Sequence, residues 1–305
     1  MKVFDHISAA AGKIKNPVVT TGSFDGVHIG HKIIINRLNQ IAAEIGGESV
    51  LITFHPHPRK VLYPEQNDLR LINTREEKTD LLRKAGLDNL VIMPFSIEFS
   101  KTSSHDFVKN ILVGELKAKV IVVGHNHHFG HNRKGDYHYL EELSREFAFK
   151  VEEIPLKDIE NETVSSTKIR KALFEGNIQR ANAYLDHQYI IQGETHLNEL
   201  PAPGLNLSTV RTAIAEEEKL VPPAGIYATN LFMGDRAMKG MTMISAENGM
   251  NSIQTHLLYD SHEYVRGKGT LYFYKKVSNL DYRSDHSSLT NSLEEVREMI
   301  EDLIY

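Results

Sequence analysis

Two histidines three residues apart, His28 and His31, close the run Gly22-Ser23-Phe24-Asp25-Gly26-Val27-His28-Ile29-Gly30-His31. The chemistry open to such a run is recognition of an anion. Glycines at 22, 26 and 30 let the backbone turn tightly and approach a ligand. The amides of a helix opening at His31 would point at whatever sits above the preceding strand. Two imidazoles facing one spot can donate hydrogen bonds to phosphate oxygens as charge builds on them. Paired histidines also bind zinc, but here their spacing spans a turn and no third ligand is obvious, so no metal site made by the protein is expected. A cradle for a triphosphate is the expectation, preferred to a plain glycine turn with solvated histidines.

A second run, Val164-Ser165-Ser166-Thr167-Lys168-Ile169-Arg170, supplies the complementary chemistry. Three consecutive hydroxyls at a helix start offer a cap and further donors to an anion. Arg170 lies one turn on, and its planar fork can take two phosphate oxygens and offset the charge on a departing pyrophosphate. Alone, the segment would read as an ordinary cap followed by a surface arginine. Its company with the first run favours the phosphate role.

The elements that must position these residues are legible as alternating β-branched runs and helical patterns. Pro17–Thr21, Ser49–Phe54, Leu90–Met93, Lys119–Val123 and Lys150–Ile154 read as buried parallel strands. Between the first two, Ile34, Leu38, Ile41 and Ile45 fall on one face of a helix from His31, which Gly46-Gly47 stops. Thr74-Arg75-Glu76-Glu77 has the capping-box pattern before a second helix. A third is expected over His105–Leu116 and a fourth after Asp136. The alternation implies a Rossmann-like α/β domain: a parallel sheet with helices on both faces and ligands at the carboxyl ends of the strands. From about Asp186 the pattern changes. Tyr189–Ile191, Gly225–Ala228, Ser252–Leu258 and Thr270–Tyr274 read as strands without intervening helices, which implies a small β-barrel. Leu293–Leu303 reads as a closing amphipathic helix.

Composition narrows the partners. The 305 residues fit two domains. The absence of cysteine excludes disulfides and thiolate metal sites and fits a reducing compartment. The net charge of −5 argues against a nucleic-acid binder that relies on excess positive charge. No segment approaches the run of about 18 apolar residues that spans a bilayer. A cytoplasmic protein acting on small molecules is expected, with no nucleic acid and no membrane; nothing in the sequence sets an oligomeric state. The sixteen histidines gather at 28–31, 55–57 and 125–131.

Three further segments carry a resemblance. Thr53-Phe54-His55-Pro56-His57-Pro58 resembles a TFxPHP pattern; Gly124-His125-Asn126-His127-His128-Phe129-Gly130 resembles GxDFxFG or GxNFxFG; Arg133-Lys134-Gly135-Asp136, with Leu140 beyond, resembles RxGDxxxL. Together with HxGH and the late Ser-Ser-Thr-x-x-Arg, these cover roughly residues 17 to 185 in the order found in the adenylyltransferase half of the prokaryotic bifunctional riboflavin kinase/FMN adenylyltransferase, or FAD synthetase, family. The resemblance implies a nucleotidyltransferase domain over 1–185 that joins FMN to the AMP of ATP, making FAD and releasing pyrophosphate. His28, His31 and Arg170 would be catalytic. ATP would be bound by Gly22, Phe24, Asp25, Gly30, Ser165, Ser166 and Thr167, and the flavin by Phe54, Pro56, His57, Pro58 and Asn126. Mg²⁺ would arrive with ATP, bridging its phosphates while keeping several waters.

The resemblance of residues 186–305 to the riboflavin kinase barrel rests on position, on Pro222-Pro223-Ala224-Gly225-Ile226-Tyr227-Ala228 and on Thr255-His256-Leu257-Leu258. The chemistry departs. Pro203-Gly204-Leu205-Asn206 stands for the family's PTAN and lacks its hydroxyl, Gln254 stands for its catalytic glutamate, and its arginine-proline-threonine segment has no counterpart. A neutral amide cannot act as a general base. The expectation is a kinase domain that keeps its fold and has lost phosphorylation, unless Glu247 or Glu263 substitutes. The alternatives are a bifunctional enzyme, a nucleotidyltransferase for another phosphate acceptor, which would leave TFxPHP and the barrel unexplained, and a non-catalytic flavin or nucleotide sensor.

Overall fold

A computed structural model describes residues 1–65, 69–125, 127–154, 158–159, 162–197, 207–247, 250–258, 266–279, 297–299 and 302. Contacts divide the chain into two compact units, Met1–Leu69 with Lys78–Val164, and Arg70–Glu77 with Ser165–Tyr305.

The first unit follows the alternation of the sequence. Its elements are β1 (Lys2–Phe4), α1 (Ile7–Ala10), β2 (Val18–Thr21), α2 (Ile29–Glu44), β3 (Ser49–His55), α3 (Pro58–Leu62), most of α4 (Arg75–Lys84), β4 (Asn89–Pro94), α5 (Ser104–Asp106), β5 (Val120–Gly124), α6 (Tyr137–Phe147), β6 (Lys150–Ile154) and the short pair β7 (Asp158–Ile159) and β8 (Glu162–Thr163). From α5 the helix runs on through Phe107–Glu115 with π-helical turns. The six main strands form one parallel sheet in the order β1-β4-β3-β2-β5-β6.

Side chains alternate across that sheet, as a strand requires. Val19, Val50, Ile52, Val91, Ile121 and Val123 pack on one face with Phe107, Leu112, Leu140 and Leu143. The other face divides between two clusters: Leu51, Leu90 and Ile92 pack with Ile35 and Leu82, and Val18, Val120 and Val122 with Leu38 and Ile41. Each fully buried aliphatic side chain contributes roughly 1.5–3 kcal/mol, so this double-sided core is what fixes the strand ends. The first helix buries the expected Leu38 and Ile41 and packs Ile34 beside them, and departs from the expected face at Ile45. It starts at Ile29, its buried residues are Ile35, Leu38, Ile41 and Ala42, and Ile45 is 37% exposed. An i, i+3, i+4 pattern allowed two overlapping stripes, and the sheet selected the one centred on Leu38.

The strand order reverses between β2 and β5: the chain runs from β2 outward through β3 to β4 and then crosses to β5 on the other side of β2. Such a reversal opens a crevice beyond the carboxyl ends of the two strands, where ligands bind in open α/β sheets.

The second unit holds α7 (Ser166–Phe174), α8 (Ile178–Leu185) and a closed antiparallel barrel of β9 (Tyr189–Leu197), β10 (Thr209–Ala213), β11 (Gly225–Met233), β12 (Arg236–Glu247), β13 (Met250–Leu257) and β14 (Arg266–Ser278). Around the barrel the order is β10-β13-β12-β11-β14-β9. Of the expected closing helix, 297–299 and 302 are described, and these are helical.

Polar residues inside this unit satisfy one another. Thr229, Thr242 and Thr255 chain their hydroxyls at 2.7 and 2.8 Å across three strands. Lys219 and Glu77 form an ion pair at 2.6 Å with both side chains wholly buried. The Lys219 ammonium also donates to the carbonyls of Ile72 and Ile190 at 2.6 and 2.8 Å. Glu77 accepts from the amides of Thr74 and Gln192, and the first of these completes, with Thr74 Oγ1 accepting from the Glu77 amide, the expected capping box.

Candidate active site

The site is built from the carboxyl ends of β2 and β5. Gly22 still donates its amide to the Ile52 carbonyl at 3.0 Å, so the loop leaves the sheet at Ser23. The Ser23 carbonyl then accepts from Lys78 Nζ at 2.8 Å and from Thr53 Oγ1 at 3.3 Å. The next turn holds Phe24, Gly26 and Val27 at φ of 46°, 94° and 42°. Left-handed backbone at Phe24, and at a β-branched valine, costs of order 1–3 kcal/mol each and persists only where surroundings over-determine it. Here the surroundings are the buried Phe24, Val27, Ile35, Leu82 and Leu87.

The strained turn delivers three rings in a stack. Phe24 lies on His31 with centroids 4.3 Å apart, and His31 lies on His28 at 3.6 Å. His28 is the N-cap residue of α2. Two of the motif's glycines make room for these rings: a Cβ at Gly22 would come to 3.0 Å from the Phe24 ring, and one at Gly30 to 3.2 Å from the His28 ring. The two glycines thus make room for rings of their own loop, in addition to the tight turning and ligand approach that the sequence suggested. His31 is held neutral, well below the usual histidine range, by burial first and then by the nearby charges of His28 and Lys78. Its Nδ1 is buried with no hydrogen-bond partner among the described residues. A neutral imidazole in that state has one N–H to donate and one lone pair that can accept a proton.

Above the stack lies a cavity of about 260 Å³, lined by Thr20, Thr21, Gly22, Ser23, Phe24, His28, Gly30, His31, Ile33, Ile34, Gly124, His125, His127, Ile154 and Val164. Five expected residues thus converge on it: Gly22, Phe24, His28, Gly30 and His31. Asp25 does not line it and is buried at 1% exposure. Asn126 lies outside the described residues.

The expected flavin residues lie in the same unit, at the end of β3 and the start of α3. Phe54 meets Phe95 and Phe99 at 5.7 and 5.8 Å, forming a partly exposed aromatic wall with two members the sequence did not single out. His57 is buried and caps α3, its Nδ1 accepting from the Arg59 amide at 3.2 Å; Pro58 occupies the first helical turn, and Pro56 is exposed. The RxGD segment is structural. Phe129 and Gly135 exchange backbone hydrogen bonds at 3.0 Å, Gly135 leaves the space that the Phe129 ring fills, and Asp136 caps α6.

Ser165, Ser166, Thr167 and Arg170 belong to the second unit. Ser165 is the N-cap of α7, with Oγ accepting from the Lys168 amide at 3.4 Å. Arg170 is 9% exposed, and its Nε donates to the Arg70 carbonyl at 3.0 Å, so the guanidinium plane is fixed. Val164, immediately before Ser165, lines the cavity of the first unit.

Lys78, Thr21 and His127 were not foreseen as site residues. Lys78 gives no sequence signal beyond its place after a capping box. His127 does: it stands where the GxNFxFG pattern has phenylalanine.

Residues 11–168 match the FAD synthetase family. Proteins named bifunctional riboflavin kinase/FMN adenylyltransferase are similar over most of the chain. One from Listeria monocytogenes is 28% identical over 83% of this chain and 81% of its own; one from Buchnera aphidicola of Schizaphis graminum is 29% identical over 93% of each; one from Pseudomonas fluorescens is 29% identical over 85% and 84%. A crystal structure named macrolide-efflux protein, from Streptococcus pneumoniae, aligns with a TM-score of 0.84 over 98% of each chain at 20% identity, which is a likeness of fold. Among the described residues no helix is long and apolar enough to cross a membrane.

Proposed function

The chain belongs to the FAD synthetase family, and on that premise we propose that it makes FAD by transferring the AMP moiety of ATP to FMN. The observation that carries the reading is the stack of two imidazoles at the start of α2, opening on a cavity within the family-matched segment. In the reaction an FMN phosphate oxygen attacks the α-phosphorus of ATP, the bond to the bridging oxygen of the β-phosphate breaks, and pyrophosphate leaves with the electron pair. The nucleophile is already an anion, so positioning and charge stabilisation suffice.

His28 and His31 hold the ATP phosphates. Burial keeps His31 neutral in the free protein, and an arriving polyanion favours its protonated form, so the ring gains charge where negative charge gathers. Ser165, Ser166, Thr167 and Arg170 take the pyrophosphate end, Phe24 and Asp25 shape the nucleotide pocket, and Phe54, Pro56, His57, Pro58 and Asn126 serve the flavin. Among the described residues no group of three histidine or carboxylate side chains is placed to hold a metal ion; Mg²⁺ belongs to the substrate MgATP. The catalytic part is assigned to residues 1–185 and the barrel to 186–305, in a cytoplasmic protein.

The barrel is proposed not to phosphorylate riboflavin. Gln254, half-buried on β13 with its amide 3.5 Å from Ser252 Oγ, offers no base. Pro203, Gly204, Leu205, Asn206 and Glu263 lie outside the described residues; Glu247 ends β12. The bifunctional reading has one observation in its favour, the near full-length similarity to relatives named for both activities. One experiment separates them: incubation with ATP, Mg²⁺ and either riboflavin or FMN, with chromatography of the flavins. FAD from FMN alone is expected. Conversion of riboflavin would overturn the reading of the barrel, and no product from FMN would overturn the proposed reaction.

A further inference from the structure

His28 and His31 approach the crevice from the β2 side; a third imidazole approaches from the β5 side. His127 follows β5, lines the same cavity, and places Nε2 3.1 Å from Oγ1 of the buried Thr21, the last residue of β2. Its ring stacks at 5.9 Å on Phe129, which is itself locked by the Gly135 exchange. The ring is therefore held from two directions, and its place is a property of the sheet and not of a solvated loop.

The surroundings also fix its chemistry. Burial brings His127 down to about 4, with smaller contributions from His128 and Arg133, so at neutral pH it carries one N–H and one lone pair. In the tautomer in which Thr21 donates to Nε2, the ring proton sits on Nδ1, and a ring that lines the cavity can offer that donor to an anion. The neighbouring His125 is committed to Glu153 at 3.0 Å and does not compete.

We propose that His127 is a specificity-determining phosphate ligand of this chain, a third imidazole that grips a phosphate oxygen from the β5 side while His28 and His31 hold it from the β2 side. The inference rests on the reading of the cavity as a phosphate site. Phenylalanine in the GxNFxFG pattern can make the stack on Phe129 but not the hydrogen bond, so the pattern's own residue is the sharpest substitution.

The test uses the full chain, with inorganic pyrophosphate as a binding probe in calorimetry and steady-state FAD formation with ATP and FMN varied separately. His127→Phe keeps the ring and its volume; His127→Gln keeps a donor. His127→Phe is expected to weaken pyrophosphate binding, or to raise KM for one of the two substrates, by about tenfold or more, the range for a hydrogen bond to a charged group. His127→Gln should recover to within about threefold of the natural protein. An effect on pyrophosphate and ATP places the phosphate on the donor nucleotide; an effect on FMN alone places it on the acceptor. Unchanged binding and unchanged KM values in His127→Phe would overturn the inference, as would equal losses in both variants that follow a fall in melting temperature. A natural protein that binds pyrophosphate but makes no FAD would remove the proposed reaction and leave this inference standing, so the two failures are distinguishable.

Discussion

The start of α2 and the barrel interior both draw histidine rings out of water, and they treat them in opposite ways. In the barrel, His256 is 1% exposed, with Nδ1 2.8 Å from Thr209 Oγ1 and Nε2 3.2 Å from Met243 Sδ. At the loop, His31 has a buried Nδ1 without a partner among the described residues and stacks on Phe24, whose backbone is left-handed. Both rings are pushed toward the neutral form by burial, His256 to about 4. The same residue type thus has its hydrogen bonds completed by the fold at one place and left open at the other, and the open one is where the proposed reaction needs a ligand contact. Strain points the same way, since Phe24 and Val27 hold left-handed conformations that an ordinary turn would assign to glycine or asparagine.

The comparison predicts where substitutions act. The largest effect should be on stability, at Lys219. Lys219→Met leaves the Glu77 carboxylate buried without its cation and is expected to cost about 3–5 kcal/mol in urea unfolding; a loss under about 1 kcal/mol would mean that the pair is not the keystone its burial indicates. Next comes acid sensitivity. His256 binds its proton only near pH 4 when folded, against about 6.5 unfolded, so the unfolded state holds more protons in between. Its stabilising contribution is complete above pH 6.5, is lost as pH falls toward 4, and amounts to about 3 kcal/mol at most. His256→Gln should flatten that part of the stability profile, and saturating pyrophosphate should leave the His256 contribution in place.

His31→Ala should do the reverse, lowering kcat for FAD formation by about 10² or more with little change in melting temperature. An unchanged kcat would remove His31 from the mechanism and erase the contrast with His256. Gly135→Ala tests the structural motif: its Cβ would fall 2.6 Å from the Phe129 ring, and overpacking of this kind costs about 1–3 kcal/mol. The smallest effect is expected at Gln254→Glu, which should not create riboflavin phosphorylation because Gly204 still lacks a hydroxyl. Activity from that single change would show that only the carboxylate was missing.

Legibility followed the strength of the local signal. Five strands of the sheet were readable because each is a compact β-branched run. β1 was not, since Lys2-Val3-Phe4 is a three-residue edge strand that acquires its state by pairing with β4. In the barrel, β12 is Arg236–Glu247, with three methionines, two alanines and a glycine, a composition of weak β preference that becomes a strand through register with β11 and β13. The glycine-histidine loop was legible as a motif, yet the rings that Gly22 and Gly30 accommodate were not, because they meet these glycines only when the loop is closed.

By itself the sequence determined the order of the elements, the change from α/β to all-β near residue 186 and the glycine-histidine run that follows β2. These are properties of periodicity, turn chemistry and short-range spacing, and they survive without contacts between distant residues. Only the tertiary structure decided that His127 meets Thr21 across a separation of 106 positions, and that the buried His256 finds its partner in Thr209. It likewise decided that Glu77 completes a cap and also pairs with Lys219, 142 positions away. Whether a polar group is satisfied depends on which strands lie side by side, and the strand order is set by packing over the whole sheet or barrel.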